Sequence, residues 1–260
     1  MNLATQNSIK LRFNLIWAIA KTDYVQRYYG SSLGLLWALI NPIFRLLVYY
    51  VVFAYLIFRN RDPEFILYLF LGITAWTYFS ENTNKGLGIL KQKKYLIQNI
   101  EINKLDLFFS SAISTSFSFF LNVLIYLLFT LFFEVPYTIN ILGVLLLFLN
   151  LFILVIGVSM ILATAFLYLN DLKHLWDMVI LLGFWTVPII WDYHIALEEY
   201  KILLYASPIT GIVINLRYVM LYGESMDWLI FLYDFGYATV LFILGLFSLK
   251  HFSHKAVEVQ

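Results

Sequence analysis

The chain has 260 residues, of which 62% are apolar or aromatic, and its mean hydropathy is +0.81. Soluble domains are roughly half apolar, so this composition describes a polytopic membrane protein and excludes a water-soluble globular one. Only 13% of residues are charged, the net charge is +1 and cysteine is absent, which removes a basic nucleic-acid binder, disulfides, Cys-based zinc sites and iron–sulfur clusters.

The opening residues, MNLATQNSIKLRF, contain no short apolar core followed by a small-residue cleavage site, so no removable signal peptide is expected. Over residues 8–30, Ile9, Phe13, Ile16, Ala20, Tyr24 and Tyr28 recur at steps of three and four, while Lys10, Asn14, Lys21 and Gln26 fall elsewhere on the wheel. That spacing predicts an amphipathic helix in the membrane interface. It ends in a basic aromatic turn, Arg27, Tyr28, Tyr29 and Gly30. The apolar run 33–58 then predicts a first span. Pro42 removes a backbone donor within it, so a kink near Asn41 is expected. Arg45 places a charge near mid-span at a cost of about 3 to more than 10 kcal/mol, and must turn away from lipid.

Further spans are expected over 65–83, 105–133, 141–169, 175–191 and 228–249. The basic loop 86–104 carries Ile89, Leu90, Leu96, Ile97 and Ile100 among its lysines, a stripe suited to a partner's groove. The stretch 195–223 is apolar but interrupted by Ser207, Pro208, Gly211, Asn215 and Arg217. With six spans and both termini cytoplasmic, twelve basic residues lie inside and four outside: Arg59, Arg61, Lys201 and Arg217. A seventh crossing would move Lys250 and Lys255 outside, so 195–223 is expected to dip in and return. The predicted fold is an all-α integral membrane domain over 1–260, with six transmembrane helices, an N-terminal amphipathic interface helix and an extracytoplasmic re-entrant helical hairpin.

No GxxxxGK[ST] occurs, so nucleotide-driven work needs another polypeptide. His174, His194, His251 and His254 form no HExxH, and the adjacent Glu198 and Glu199 do not face one another on a helix; neither a metal centre nor an enzymatic site is expected. Aromatic residues make up 19% of the chain. They read either as an interfacial girdle or, for Tyr49, Phe53 and Trp76, as the lining of a channel offering ring faces to sugars. Arg27 and Arg45 either pair with a helix carbonyl or lipid phosphate, or recognise a substrate phosphate.

Several stretches resemble the permease subunits of ABC-2 type exporters, in the group that moves O-antigen or teichoic acid chains on an undecaprenyl carrier. They are DYVQRYYGSSLGLLWALINP (23–42), LGITAWTYFSE (71–81), YLIQNIEINKLDLF (95–108), YLNDLKHLWD (168–177), WTVPIIW (185–191) and SPITGIVINLRYVMLYG (207–223). The sequence departs from the family pattern in IEIN, which lacks a proline, at Asn170 and at Ser207. The resemblance implies a homodimer of permeases with two P-loop ATPase subunits in a bacterial plasma (inner) membrane, ATP and Mg being bound by the ATPase. It implies substrate entry at Arg27, Tyr28, Tyr29 and Gly30, a channel lined by Arg45, Tyr49, Phe53 and Trp76, and a gate at Pro188, Ser207 and Pro208. ATPase coupling would fall to Lys91, Lys94, Tyr95, Ile97, Asp171 and Lys173. An ABC-2 drug or lipid exporter, or an ATPase-independent channel or carrier, is the alternative.

Overall fold

The computed structural model describes residues 3–27, 29–53, 64–100 and 102–253, and they form an all-α bundle. Its helices are α1 (Leu3–Gln26), α2 (Trp37–Tyr50), α3 (Phe65–Gln92), α4 (Lys94–Asn99), α5 (Lys104–Thr130), α6 (Gly143–Phe166), α7 (Leu172–Thr186), α8 (Lys201–Ala206), α9 (Pro208–Met220) and α10 (Trp228–Phe252). Local chemistry sets several boundaries. The Asn103 side chain accepts from the Leu105 amide and caps α5, and Asp227 does the same for α10 through Leu229 and Ile230. Val187 is extended because Pro188 follows it, and α7 stops there. Pro208 occupies the first turn of α9, where its missing N–H costs nothing.

Six transmembrane helices are not present among the described residues. Three are long and apolar enough to cross a membrane: Lys104–Thr130, Ile139–Phe166 and Trp228–Phe252. The other expected spans fail for distinct reasons. The described part of the first is a short apolar helix, Ile40–Phe53, and residues 54–58 lie outside the described residues, as do Arg59, Arg61 and Lys255. α3 has 28 residues but dilutes its apolar run with Thr74, Thr77, Ser80, Glu81 and Asn82. α7 has only 15 residues. Nor is a re-entrant hairpin seen over 195–223. A π-turn at Ile195–Glu199 leads into a six-residue α8, too short to be one arm of a hairpin, and α9 is buried against α3, α6 and α10. Arg217, counted outside by charge, is wholly buried; its Nη2 donates to the Ile189 carbonyl at 3.1 Å. The guanidinium lies 3.3 Å over the Tyr68 ring.

α3 is the central helix, packed on α2, α5, α6, α7 and α9. α1 runs lengthwise beside α5, from Arg12 at Asp106 to Arg27 at Ser118. Its expected stripe is only partly the packing face: Ala20 is buried, whereas Phe13 is 61% exposed. The tightest seam joins α6 to α10. A Cβ on Gly157 would sit 2.6 Å from the Phe242 amide nitrogen, and one on Gly245 would sit 2.7 Å from the Gly157 carbonyl oxygen. Between membrane helices such approach is where packing energy is gained, because lipid competes for apolar contact. Gly157→Ala should therefore lower stability by about 1–3 kcal/mol, read as a lower melting temperature in detergent. Gly236→Ala on the same α10 meets nothing within 4 Å and should be neutral.

Candidate functional site

Between α1 and α2 the chain turns through Gly30 and Gly34, whose φ values are 78° and 51°. Only a residue without a Cβ enters that region cheaply, so these glycines fold α2 back beside the end of α1. Arg27 and Arg45, eighteen positions apart in sequence, then face one cavity of about 390 Å³. Asn41, Thr77, Glu81 and Asn122 complete its polar wall, while Trp37 and Phe70 supply apolar surface.

Arg27 Nη1 donates to Glu81 Oε2 at 2.9 Å and to Ser118 Oγ at 3.3 Å. Arg45 Nη1 donates to Thr77 Oγ1 at 3.0 Å. Pro42 has no N–H to offer the carbonyl of Ala38, and both residues border the cavity. Asn122 is buried, and its Oδ1 lacks a hydrogen-bond partner. Two guanidinium groups facing one carboxylate leave a positive surplus amid several donors, an arrangement suited to an anion with multiple oxygen acceptors.

The other expected site residues fall elsewhere. Tyr29 is 86% exposed on the turn, Gly30 shapes the backbone there, and Tyr28 lies outside the described residues. Tyr49, Phe53 and Trp76 do not border the cavity. They meet α7 in an aromatic seam: Tyr49 stacks on Phe184 at 5.5 Å, Trp76 reaches Phe184 at 6.3 Å and Phe53 reaches Trp185 at 6.5 Å. Pro188 is buried in the turn after α7, and Ser207 and Pro208 open α9.

One end of the bundle gathers basic residues. Lys91 Nζ donates to Asn170 Oδ1 at 2.7 Å and lies 4.0 Å from the Phe166 ring, joining the end of α3 to the loop before α7. Lys104 Nζ donates to the Ser253 carbonyl and hydroxyl, each at 2.9 Å. Arg12 holds Asp106 through a 2.5 Å contact from Nη2, and this bond raises the pKa of its guanidinium. Beside them Tyr95, Asp171 and Lys173 are exposed, Lys94 is partly so and Ile97 is buried.

Glu81, Ser118 and Asn122 are not among the residues that the sequence singles out for the site. Their signal lies in α5, where Ser111, Ser114, Ser118 and Asn122 recur at helical steps inside an otherwise apolar span.

One turn beyond Glu81, half-buried Lys85 has its pKa pushed down to about 8 by burial and then by the charge of Arg27, against the pull of Glu81 and Asp23. Between about 8 and the ordinary 10.5 the unfolded chain binds more protons than the folded one, so stability rises with pH across that window. Lys85→Met should flatten the rise, a difference of no more than about 3 kcal/mol, seen by comparing melting temperatures of the two proteins from pH 8 to 10.5.

No protein-family model matches the chain. The O-antigen export system permease protein RfbA of Klebsiella pneumoniae is 22% identical over 261 residues, covering all of both chains, and a second Klebsiella pneumoniae protein of that description gives the same values. RfbA of Myxococcus xanthus is 29% identical over 86 residues, 33% of each chain. Among the described residues no group of three or more His, Asp or Glu gathers where a metal ion could be held. With three helices long and apolar enough to cross a membrane, the chain has the make-up of a multi-pass membrane protein, and it is similar over its full length to an O-antigen export system permease.

Proposed function

We propose that the chain is the channel-forming subunit of an ATP-driven exporter carrying undecaprenyl-linked polysaccharide, of O-antigen or teichoic acid type, out of the cytoplasm. Two copies work with two P-loop ATPase subunits, which hold the ATP and Mg. The observation that carries this reading is the cavity shared by Arg27 and Arg45. A lipid-linked pyrophosphate head presents several charged oxygens, and paired guanidinium groups recognise such a group bidentately. Arg27, Tyr29 and the Gly30 turn admit the head, with Tyr28 beside them in sequence. The aromatic seam of Tyr49, Phe53 and Trp76 belongs to the channel wall, where ring faces accept sugar CH surfaces. Pro188, Ser207 and Pro208 act as the outer gate.

The basic end faces the cytoplasm and the ATPase, through Lys91, Lys94, Tyr95 and Ile97 in one loop and Asp171 and Lys173 in the other. The Lys91–Asn170 bond supports a joint response of the two loops. Attachment of both Arg12 and Ser253 to the first turn of α5 supports placing the two termini on this same side of a bacterial plasma membrane.

The test is copurification of the tagged chain with the products of its neighbouring genes, together with an export assay. A P-loop ATPase should bind at one-to-one stoichiometry. Arg27→Ala and Arg45→Ala should each cut export about 10- to 100-fold, the loss of one or two charge-assisted hydrogen bonds, without releasing the ATPase. Unchanged export would remove the phosphate role, and transport by the chain alone would replace the exporter with a channel or carrier.

A further inference from the structure

A second polar chamber lies between α1, α3 and α5, on the side of Lys85 away from Glu81. It measures about 220 Å³ and is bordered by Asp23, Gln26, Lys85, Lys93, Ser111 and Ser114. Gln26 is exposed, so the chamber reaches the surface of α1.

The charges along this seam form a ladder. Arg27 pairs with Glu81 at 2.9 Å, and Lys93 pairs with Asp23 at 2.5 Å. Lys85 stands between these two ion pairs and makes neither a hydrogen bond nor an ion pair among the described residues. The ladder thus carries three cations against two carboxylates, and the surplus sits on the one cation without a bonded counter-ion. Across the chamber, Ser114 is 1% exposed and its Oγ has no hydrogen-bond partner. A buried hydroxyl left unbonded costs about 1–3 kcal/mol in mutational measurements on proteins, so an acceptor that fills the space satisfies both groups at once.

We propose that this chamber binds the singly charged phosphodiester of a membrane phospholipid headgroup, with Lys85 as the counter-charge and Ser114 as a hydrogen-bond donor. A monatomic anion is smaller than the chamber. A doubly charged phosphomonoester exceeds the surplus of one and would meet the Asp23 carboxylate. A diester matches the charge and offers two free oxygens, one for the α3 ammonium and one for the α5 hydroxyl. Lipid is the favoured source because the outer face of α1 beside the opening mixes apolar and aromatic residues with basic and polar ones, as interfacial helices do: Asn14, Lys21 and Thr22 are exposed there. Val25 next to Gln26, and Trp17 and Phe13 before it, are 43%, 46% and 61% exposed. Such a surface beside a polar recess suits an acyl chain lying along the helix. The charge of an anion in the chamber also offsets the desolvation and the Arg27 repulsion acting on Lys85.

The site is separate from the Arg27–Arg45 cavity, and its test needs no export. Native mass spectrometry of the purified chain in detergent, titrated with phosphatidylglycerol, counts lipids retained as collision energy rises. The wild type should hold one tightly bound lipid whose apparent affinity falls at least tenfold in Lys85→Met and about fivefold in Ser114→Ala, while Lys85→Arg keeps it. Lys201→Met, on a helix away from the chamber, should bind as the wild type does. A parallel titration with inorganic phosphate separates the sources: no Lys85-dependent thermal shift supports the lipid headgroup. A shift from phosphate alone, with lipid retention unaltered in the Lys85 and Ser114 variants, overturns the lipid assignment. Equal retention by wild type and all variants, with no response to phosphate, overturns the site.

Discussion

The central constraint is that α3 cannot face lipid. Its second half carries Glu81, Asn82, Thr83, Asn84 and Lys85 in succession, and backbone or side-chain polar groups exposed to hydrocarbon cost several kcal/mol each. Five other helices therefore enclose it, and their polar atoms answer its own. Asn82 donates to Thr115, Thr83 accepts from the Trp176 indole at 3.2 Å, and Tyr78 shares a hydrogen bond with Ser116 at 3.1 Å. Glu81 takes Arg27 from the end of α1. The bundle is organised by the need to satisfy one polar helix as much as by the apolar seams around it.

That arrangement explains why the cavities lie where they do. Where a neighbour of α3 brings a donor of matching reach, the polar groups close on each other and the interior is filled. Where α2 arrives with Pro42, the helix loses an internal hydrogen bond and its neighbour Arg45 reaches Thr77 only by its tip, leaving open volume. Charge collects at those gaps because the ring of helices supplies more cations than α3 has carboxylates. The same imbalance runs from the Arg27 cavity to Lys85, so the surplus of positive charge is continuous between α1 and α3.

The apolar helices were the most readable part of the chain. α5, α6 and α10 are long and apolar enough to cross a membrane, and their positions follow from length and hydropathy. α3 defeated the same reasoning because a helix can be long enough to span yet too polar for lipid, and only its neighbours reveal that it is enclosed. α9 is apolar for a different reason: it is short and buried against protein, whereas α7, also short, leaves Leu181 and Leu182 exposed. Arg27 and Arg45 stood out as costly charges, but nothing in their spacing said that they share a space, since that depends on the left-handed turn at Gly30 and Gly34. The serines of α5 and Asn122 were visible at helical intervals. Their meaning appeared only when α1 and α3 were found on that face. Arg217, counted outside by charge, is wholly buried, and its Nη2 donates to backbone carbonyls, which carry no sequence signature.

The anchoring of α1 has a mechanical consequence. The helix is held near its start by the Arg12–Asp106 ion pair and ends at Arg27, roughly 22 Å further along at 1.5 Å per residue. It is fastened again at its far end, by Asp23 to Lys93 and Arg27 to Glu81, while the first turn of α5 that holds Arg12 also grips the end of α10 through Lys104 and Ser253. A tilt of about 5° at the Arg12 end carries the far end through about 2 Å over such a length. That displacement is comparable to the whole 2.9 Å bond between Arg27 and Glu81. A displacement of that size strains the Arg27–Glu81 and Lys93–Asp23 ion pairs together, so the two are mechanically coupled through α1.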